Sequence, residues 1–247
     1  ALKSADCSIA MASGSDAVKA VSHLVSLDSN FSSLPEVVEQ GRKVINNLQR
    51  VCSIFLVKTI FAMIMSTSFL CLPQQEYPFS TSNLLAWELL TIGIAPFFIA
   101  LEPNKERIKG NFIRNIIEEG IPGAITQIIL SLAILAASYI NEGAFPPAGV
   151  RAMAIIMMSV MSIVILLHVC MPLNKYRSAV LIGTVVLMTT LFIIDAFTPI
   201  VILDINYQAI NTSVALLGLI IFIVLVPLYF LFGYLFTKLI KKRNHHE

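Results

Sequence analysis

Two ionisable side chains stand inside stretches that are otherwise apolar enough to lie in hydrocarbon. Lys58 falls in Phe55-Leu56-Val57-Lys58-Thr59-Ile60, and Glu88 in Trp87-Glu88-Leu89-Leu90-Thr91-Ile92-Gly93-Ile94-Ala95-Pro96. A charge at the bilayer centre costs about 2.5–3.5 kcal/mol on insertion scales, so each is a functional candidate. For Lys58 two readings stand. Its long stem can snorkel the ammonium toward headgroups, or the ammonium can be a built-in countercharge that pairs with a carboxylate once an ion has left. Glu88 and Thr91 are three apart and share a face of a regular helix, which would aim both oxygens into a bundle. Pro96 has no amide hydrogen and leaves the Ile92 carbonyl without its helical partner, while Gly93 lowers the cost of local unwinding. An unwound turn with free carbonyls, next to the Glu88 carboxylate as metal ligand, suits a dehydrated hard cation. The competing reading places Glu88 at the outer interface, solvated, with Pro96 as a simple kink.

Other polar residues carry less. Asp195 and Asp204 flank a loop and read as solvated, and Gln127 reads as a hydrogen bond between helices. His168 reads as a packed or interfacial histidine, and Met153, Met157, Met158 and Met161 as a flexible apolar stripe. His245 and His246 lie in a charged tail without metal-site spacing. The four cysteines have no Cys-x-x-Cys spacing, and Ser13-Gly14-Ser15 has one Gly where a phosphate-cradling loop needs more, so it reads as a turn.

The elements that position Lys58 and Glu88 follow from composition. Of 247 residues 57% are hydrophobic and 13% charged, against roughly 25% charged in an ordinary soluble domain. A soluble fold of this size has no core large enough for that apolar excess, so a lipid bilayer is implied. The net charge of +2 gives no polyanion-binding face and excludes a nucleic-acid partner. Apolar stretches at about 51–72, 84–102, 121–140, 150–171, 178–197 and 212–237 each have the roughly 20 residues needed to cross about 30 Å of hydrocarbon. No apolar stretch of that length precedes residue 50, and no signal peptide is read.

Residues 1–50 have a soluble composition. Cys7 to Met11 reads as a strand ended by a turn, Asp16 as the cap of a helix through about His23, and Leu24 to Leu27 as a second strand. From Pro35 the apolar positions Val37, Val38, Val44, Ile45 and Leu48 recur at helical spacing. Two short strands and a helix cannot bury a core alone, which makes this segment the end of a larger α/β domain. Three parts are thus expected: 1–50, a six-helix region 51–240, and a basic tail 241–247.

Lysine and arginine are one-sided in the loops. Lys105, Arg107, Lys109, Arg114, Lys175 and Arg177, with Lys238, Lys241, Lys242 and Arg243, fall on the Arg50 side, and only Arg151 on the other. The positive-inside rule then puts both termini in the cytoplasm of a multi-pass protein, expected in the plasma membrane.

The first fifteen residues, Ala1-Leu2-Lys3-Ser4-Ala5-Asp6-Cys7-Ser8-Ile9-Ala10-Met11-Ala12-Ser13-Gly14-Ser15, resemble the stretch that follows the Gly-Asp-Gly-x-Asn-Asp hinge of P-type cation-transporting ATPases. Leu27-Asp28-Ser29-Asn30-Phe31, Val38-Glu39-Gln40-Gly41-Arg42 and Ile45-Asn46-Asn47 resemble the end of their phosphorylation domain and the stalk into membrane segment five. Leu90 to Phe98, followed by Leu101-Glu102-Pro103-Asn104, resembles a bacterial subgroup that includes calcium-linked pumps. The resemblance implies the end of a haloacid-dehalogenase-like α/β domain followed by an α-helical polytopic membrane region, segments five to ten. It implies a pump driven through a phospho-aspartate, with an inorganic cation as cargo, ATP and magnesium as cofactors of the complete protein, and the actuator, nucleotide-binding and phosphorylation regions of the same polypeptide as partners. The chain itself carries no Asp-Lys-Thr-Gly-Thr and no catalytic residue of that cycle. Where calcium and sodium pumps of the family carry Thr-Asp-Gly, this chain has Thr91-Ile92-Gly93. By itself it is expected not to hydrolyse ATP. The alternatives are a stand-alone membrane scaffold or regulatory subunit, and a six-helix secondary transporter, for which no internal repeat is seen.

Overall fold

The computed structural model describes residues 4–28, 30–71, 76–108, 110–199 and 201–243, with side chains to 239. Residues 1–3 of the N-terminal motif, Ser29, Lys109, and His245 and His246 of the tail lie outside the described residues, as do the side chains of Lys241, Lys242 and Arg243.

Strand β1 (Ile9–Met11) pairs in parallel with β2 (Leu24–Ser26), Ile9 opposite Leu24, across helix α1 (Asp16–Val21). The expected order of these elements holds, with two local corrections. Ser15, not Asp16, occupies the cap position of α1, and Asp16 is its first residue, paired with Lys19 at 3.2 Å. The helix also stops at Val21 instead of continuing to His23, because the His23 ring and amide are drawn to Ser8, with Ser8 Oγ 2.8 Å from Nδ1. Leu24, Leu27 and Phe31 remain exposed, as an apolar surface too small to close on itself would be.

Helix α2 (Leu34–Leu70) starts with Pro35 in its first turn and runs through residue 50 without a break, so the amphipathic start and the membrane-length stretch are one element. The second crossing combines α3 (Thr81–Ala86), a π-helical turn (Trp87–Ile94) and α4 (Ala95–Ala100). A reciprocal Ser80–Asn83 capping box starts α3. Helix α5 (Phe112–Ile140) begins nine residues before the expected 121, because Asn111 caps it and Arg114 and Glu118 neutralise each other one turn apart. Helices α6 (Pro147–Val169), α7 (Lys175–Phe197) and α8 (Thr212–Arg243) complete the bundle. Among the described residues six helical segments are long and apolar enough to cross a membrane, and the protein is an α-helical polytopic membrane protein.

Helix α5 is the hub, packed against α2, α6 and α8. Small residues permit the approach to α2: a Cβ on Gly120 would meet Leu56 Cδ2 at 2.9 Å and the Ser53 carbonyl at 3.1 Å. The core gathers Ile54, Val57, Phe61, Trp87, Ile128, Ile134, Met158, Met161 and Tyr229, and the methionine stripe of α6 lies inside it, as expected of packing residues. Helix α7 is peripheral, its apolar stretch only 11% buried. Loops that meet fix which ends coincide. Asn47 and Arg50 lie with Glu102 and Arg177 at one end, called the basic end below, and Asn83 lies with Leu203 and Asp204 at the other.

Candidate functional site

The wide turn Trp87–Ile94 is a direct response to Pro96. Proline at that position donates no hydrogen bond, and its ring clashes with the carbonyl four residues back. Adding one residue to the turn moves the bonding register from i−4 to i−5, as in the bond from the Ala95 amide to the Leu90 carbonyl. The backbone flanking the turn stays right-handed helical, with φ −70° and ψ −50° at Ile94. The expected unwinding is therefore a widening instead. Gly93 is not demanded by sterics, since a Cβ there would meet the Glu88 carbonyl at an ordinary 3.4 Å.

Widening separates two residues expected on one face. Thr91 is 2% exposed, its hydroxyl donating to the Trp87 carbonyl at 2.5 Å, and it faces the core with Ile92. Both line a cavity of about 10 Å³ with Val57 of α2 and Ser162 of α6, room for about one water. The Glu88 side chain, 35% exposed, points the other way and meets Lys58 of α2, Nζ to Oε1 3.0 Å. A π-turn advances fewer degrees per residue than an α-turn, so positions three apart fall further short of a full turn and the shared face is lost. Pro96 itself is buried in the first turn of α4.

The Lys58–Glu88 pair resolves an electrostatic problem. Lys58 lies twelve residues from the end of α2 at Leu70, about 18 Å along the helix, and so deep in the span. Each charge alone would cost a few kcal/mol there, and pairing removes most of that cost. Among the described residues no three His, Cys, Asp or Glu side chains come together.

A second ionic cluster has no counterpart in the readings of the sequence. Glu102, 2% exposed, sits just beyond α4 with Arg50 Nη1 at 3.2 Å, Arg177 Nε at 2.9 Å and the Asn174 amide nitrogen at 2.6 Å. Asn47 of α2 donates to the Glu102 carbonyl at 2.6 Å, and Arg177 Nη1 to the Pro172 carbonyl at 2.6 Å. In the sequence these arginines serve only as topology markers. The available signal is a carboxylate set directly before Pro103 at a helix end, with arginines on two other helices at the same side.

The remaining candidates are structural. Asp195 is half-buried and bonded within the protein: its Oδ1 accepts the Ile202 and Leu203 amides at 2.8 and 2.7 Å, and its Oδ2 the Tyr207 hydroxyl at 2.9 Å. Asp204 is exposed, at a φ of 52°. Gln127 is fully buried and donates to the Met158 carbonyl at 3.0 Å, bridging α5 and α6 as expected. His168 packs edge-on against Tyr229 and Phe230.

No family model matches the chain. It is 31% identical over 215 residues to the calcium-transporting ATPase CtpE of Mycolicibacterium smegmatis, covering 79% of this chain and 27% of that protein. It is 27% identical over 201 residues to the probable cation-transporting ATPase exp7 of Streptococcus pneumoniae, covering 78% and 26%. Over 108 residues, 43% of the chain and 8% of the relative, it is 33% identical to P-type sodium-transporting ATPase4 of Toxoplasma gondii. The chain's homologues are cation-transporting P-type ATPases. It spans just over a quarter of the length of the two bacterial relatives. In this P-type ATPase homologue Lys58 and Glu88 stand on adjacent candidate crossings in direct contact.

Proposed function

We propose that this chain is the transport portion of an ATP-driven cation pump, in which Lys58 and Glu88 handle the cargo. The homology carries the pump reading, and the 3.0 Å ion pair in the middle of the span carries the site. Glu88 is the cation's carboxylate ligand, with Thr91, Ile92 and Gly93 framing the wide turn above Pro96. When the cation is bound, Glu88 is satisfied by it and Lys58 is displaced. When the cation leaves, the ammonium takes its place and the empty site stays neutral enough to reorient. The side chains of both residues are about one third exposed, on a face the remaining polypeptide would cover.

In this reading residues 1–50 close a haloacid-dehalogenase-like phosphorylation domain, and α2 carries its movement into the membrane. The actuator and nucleotide-binding regions, with the phospho-aspartate, ATP and magnesium, belong to the rest of the polypeptide. Residues 1–50 and the end of α8 face the cytoplasm, and the membrane is the plasma membrane. Relatives are named as calcium- and sodium-transporting ATPases, so the cargo class here is a hard inorganic cation.

The test uses the complete protein in lipid, with ATPase activity measured against a panel of cations including calcium and sodium. One cation should stimulate turnover, and Glu88→Gln and Lys58→Ala should each change the cation dependence of phosphoenzyme turnover at normal expression. Stimulation by no cation would overturn the pump reading. Stimulation that is unchanged in both variants would instead remove this pair from the ion path.

A further inference from the structure

A groove distinct from the ion pair runs along one side of α7. Ile94 and Phe98 form one wall, and Tyr176, Ala179, Gly183 and Leu187 the other, around about 290 Å³. The donors in its walls are already used. The Tyr176 hydroxyl donates to the Phe98 carbonyl at 2.8 Å and the Thr184 hydroxyl to the Val180 carbonyl at 2.9 Å. Its occupant is therefore apolar. Gly183 opens the groove, since a Cβ there would meet nothing within 4 Å.

Length decides between an acyl chain and a crossing helix. Tyr176 to Leu187 is about 16 Å of helix, close to half of a roughly 30 Å hydrocarbon layer. Beyond Leu187 the furrow is shut: Met188, 3% exposed, packs with Ala86, Leu90 and Leu203, and Leu191 and Ile94 close over the same cluster. A helix would need a furrow across the full thickness, whereas a chain of one leaflet needs only this half. At the open end stands Lys175, exposed and without an ion pair among the described residues.

We propose that the groove between α4 and α7 binds one acyl chain of a glycerophospholipid from the leaflet at the basic end, with its phosphate against the Lys175 ammonium. The chain would pack on Ile94 and Phe98, immediately beside the wide turn, and so brace the element that carries Glu88. The site goes beyond the pump reading and does not depend on it.

The test places the complete protein in nanodiscs of phosphatidylethanolamine and phosphatidylglycerol containing a trace of phosphatidylglycerol with a diazirine on its acyl chain. After irradiation, peptide mass spectrometry should find label concentrated on residues 179–187, well above the exposed α8 positions Ile220, Ile223 and Val224. Gly183→Leu fills the open space with a better helix former, and should cut the α7 label several-fold while leaving α8 unchanged. Lys175→Ala should lower α7 capture of the phosphatidylglycerol probe and of a phosphatidylethanolamine probe that carries the same phosphate. Label on α7 at or below the α8 level, because the groove is ordinary surface or another polypeptide segment fills it, would overturn the proposal. So would label that survives Gly183→Leu, and unchanged capture of both probes in Lys175→Ala would overturn the headgroup contact. None of these readouts uses ATPase activity.

Discussion

Glu102 is held by two guanidiniums in a nearly water-free position, which makes the cluster unforgiving of partial removal. Deleting one partner of a buried ion pair leaves uncompensated charge, typically a loss of 3–5 kcal/mol. Glu102→Ala is thus expected to lower stability by about that amount, visible as a large drop in thermal unfolding temperature. Glu102→Gln, which retains an acceptor oxygen for one arginine, should fall between it and the wild type. A variant as stable as wild type would mean that water reaches the arginines. Tyr207 makes a pH-dependent counterpart at the opposite end. Burial, and secondarily its hydrogen bond to Asp195, raise its hydroxyl above the ordinary value of 10.0. A group raised in the folded state contributes stability that is intact below the unfolded value and lost as pH climbs through the folded one. Stability measured by thermal unfolding should therefore decline above pH 10 in the wild type, and Tyr207→Phe should lack that component.

At the scale of the element, the Trp87–Ile94 turn shows how one imino acid redistributes a helix face. Pro96 favours the five-residue register, that register sends Thr91 into the core, and Glu88 is thereby left to Lys58. With Pro96→Ala the amide returns and the ordinary i−4 register becomes available. Amide exchange across Leu90 to Ala95 is expected to slow as shorter helical bonds replace the wide ones. Unchanged exchange would mean that packing against α2 and α6, not proline, holds the turn open. The Asn174 cap of α7 works at the same scale: one side chain starts the helix through the Arg177 amide at 2.8 Å and also donates to Glu102. Helix α2, the loop after α4 and the start of α7 are in this way tied at a single point.

For the whole molecule, the open question is which way the bundle faces, and two native cysteines report it. Cys7 is exposed before the stalk, and Cys71 is exposed at the far end of α2. If the excess of Lys and Arg marks the cytoplasmic side, an impermeant maleimide applied to intact cells should label Cys71 and spare Cys7. Cys71→Ser serves as the control, and labelling of Cys7 in its place would reverse the orientation. The apolar stretches of α7 and α8 are 11% and 22% buried while those of α5 and α6 are each 67% buried, so α5 and α6 form the protein-lined interior of the bundle.

The sequence by itself determined the six crossings, their approximate limits, the one-sided charge and the two ionisable positions inside hydrocarbon. These follow from composition and length, which act locally: about 20 apolar residues must find lipid wherever they occur. It also marked Pro96 as a disturbance, because the missing amide is a property of that residue alone. Only the tertiary structure decided how the disturbance is relieved, since widening and unwinding both satisfy a proline and the choice depends on what Thr91 and Glu88 meet. The same holds for Glu102, Arg50 and Arg177, which are separated by 52 and 75 residues from the carboxylate they share. Charges on separate elements carry no pairing information in their spacing, and packing of α2, α4 and α7 at one end of the bundle is what turned three surface-type residues into a buried network.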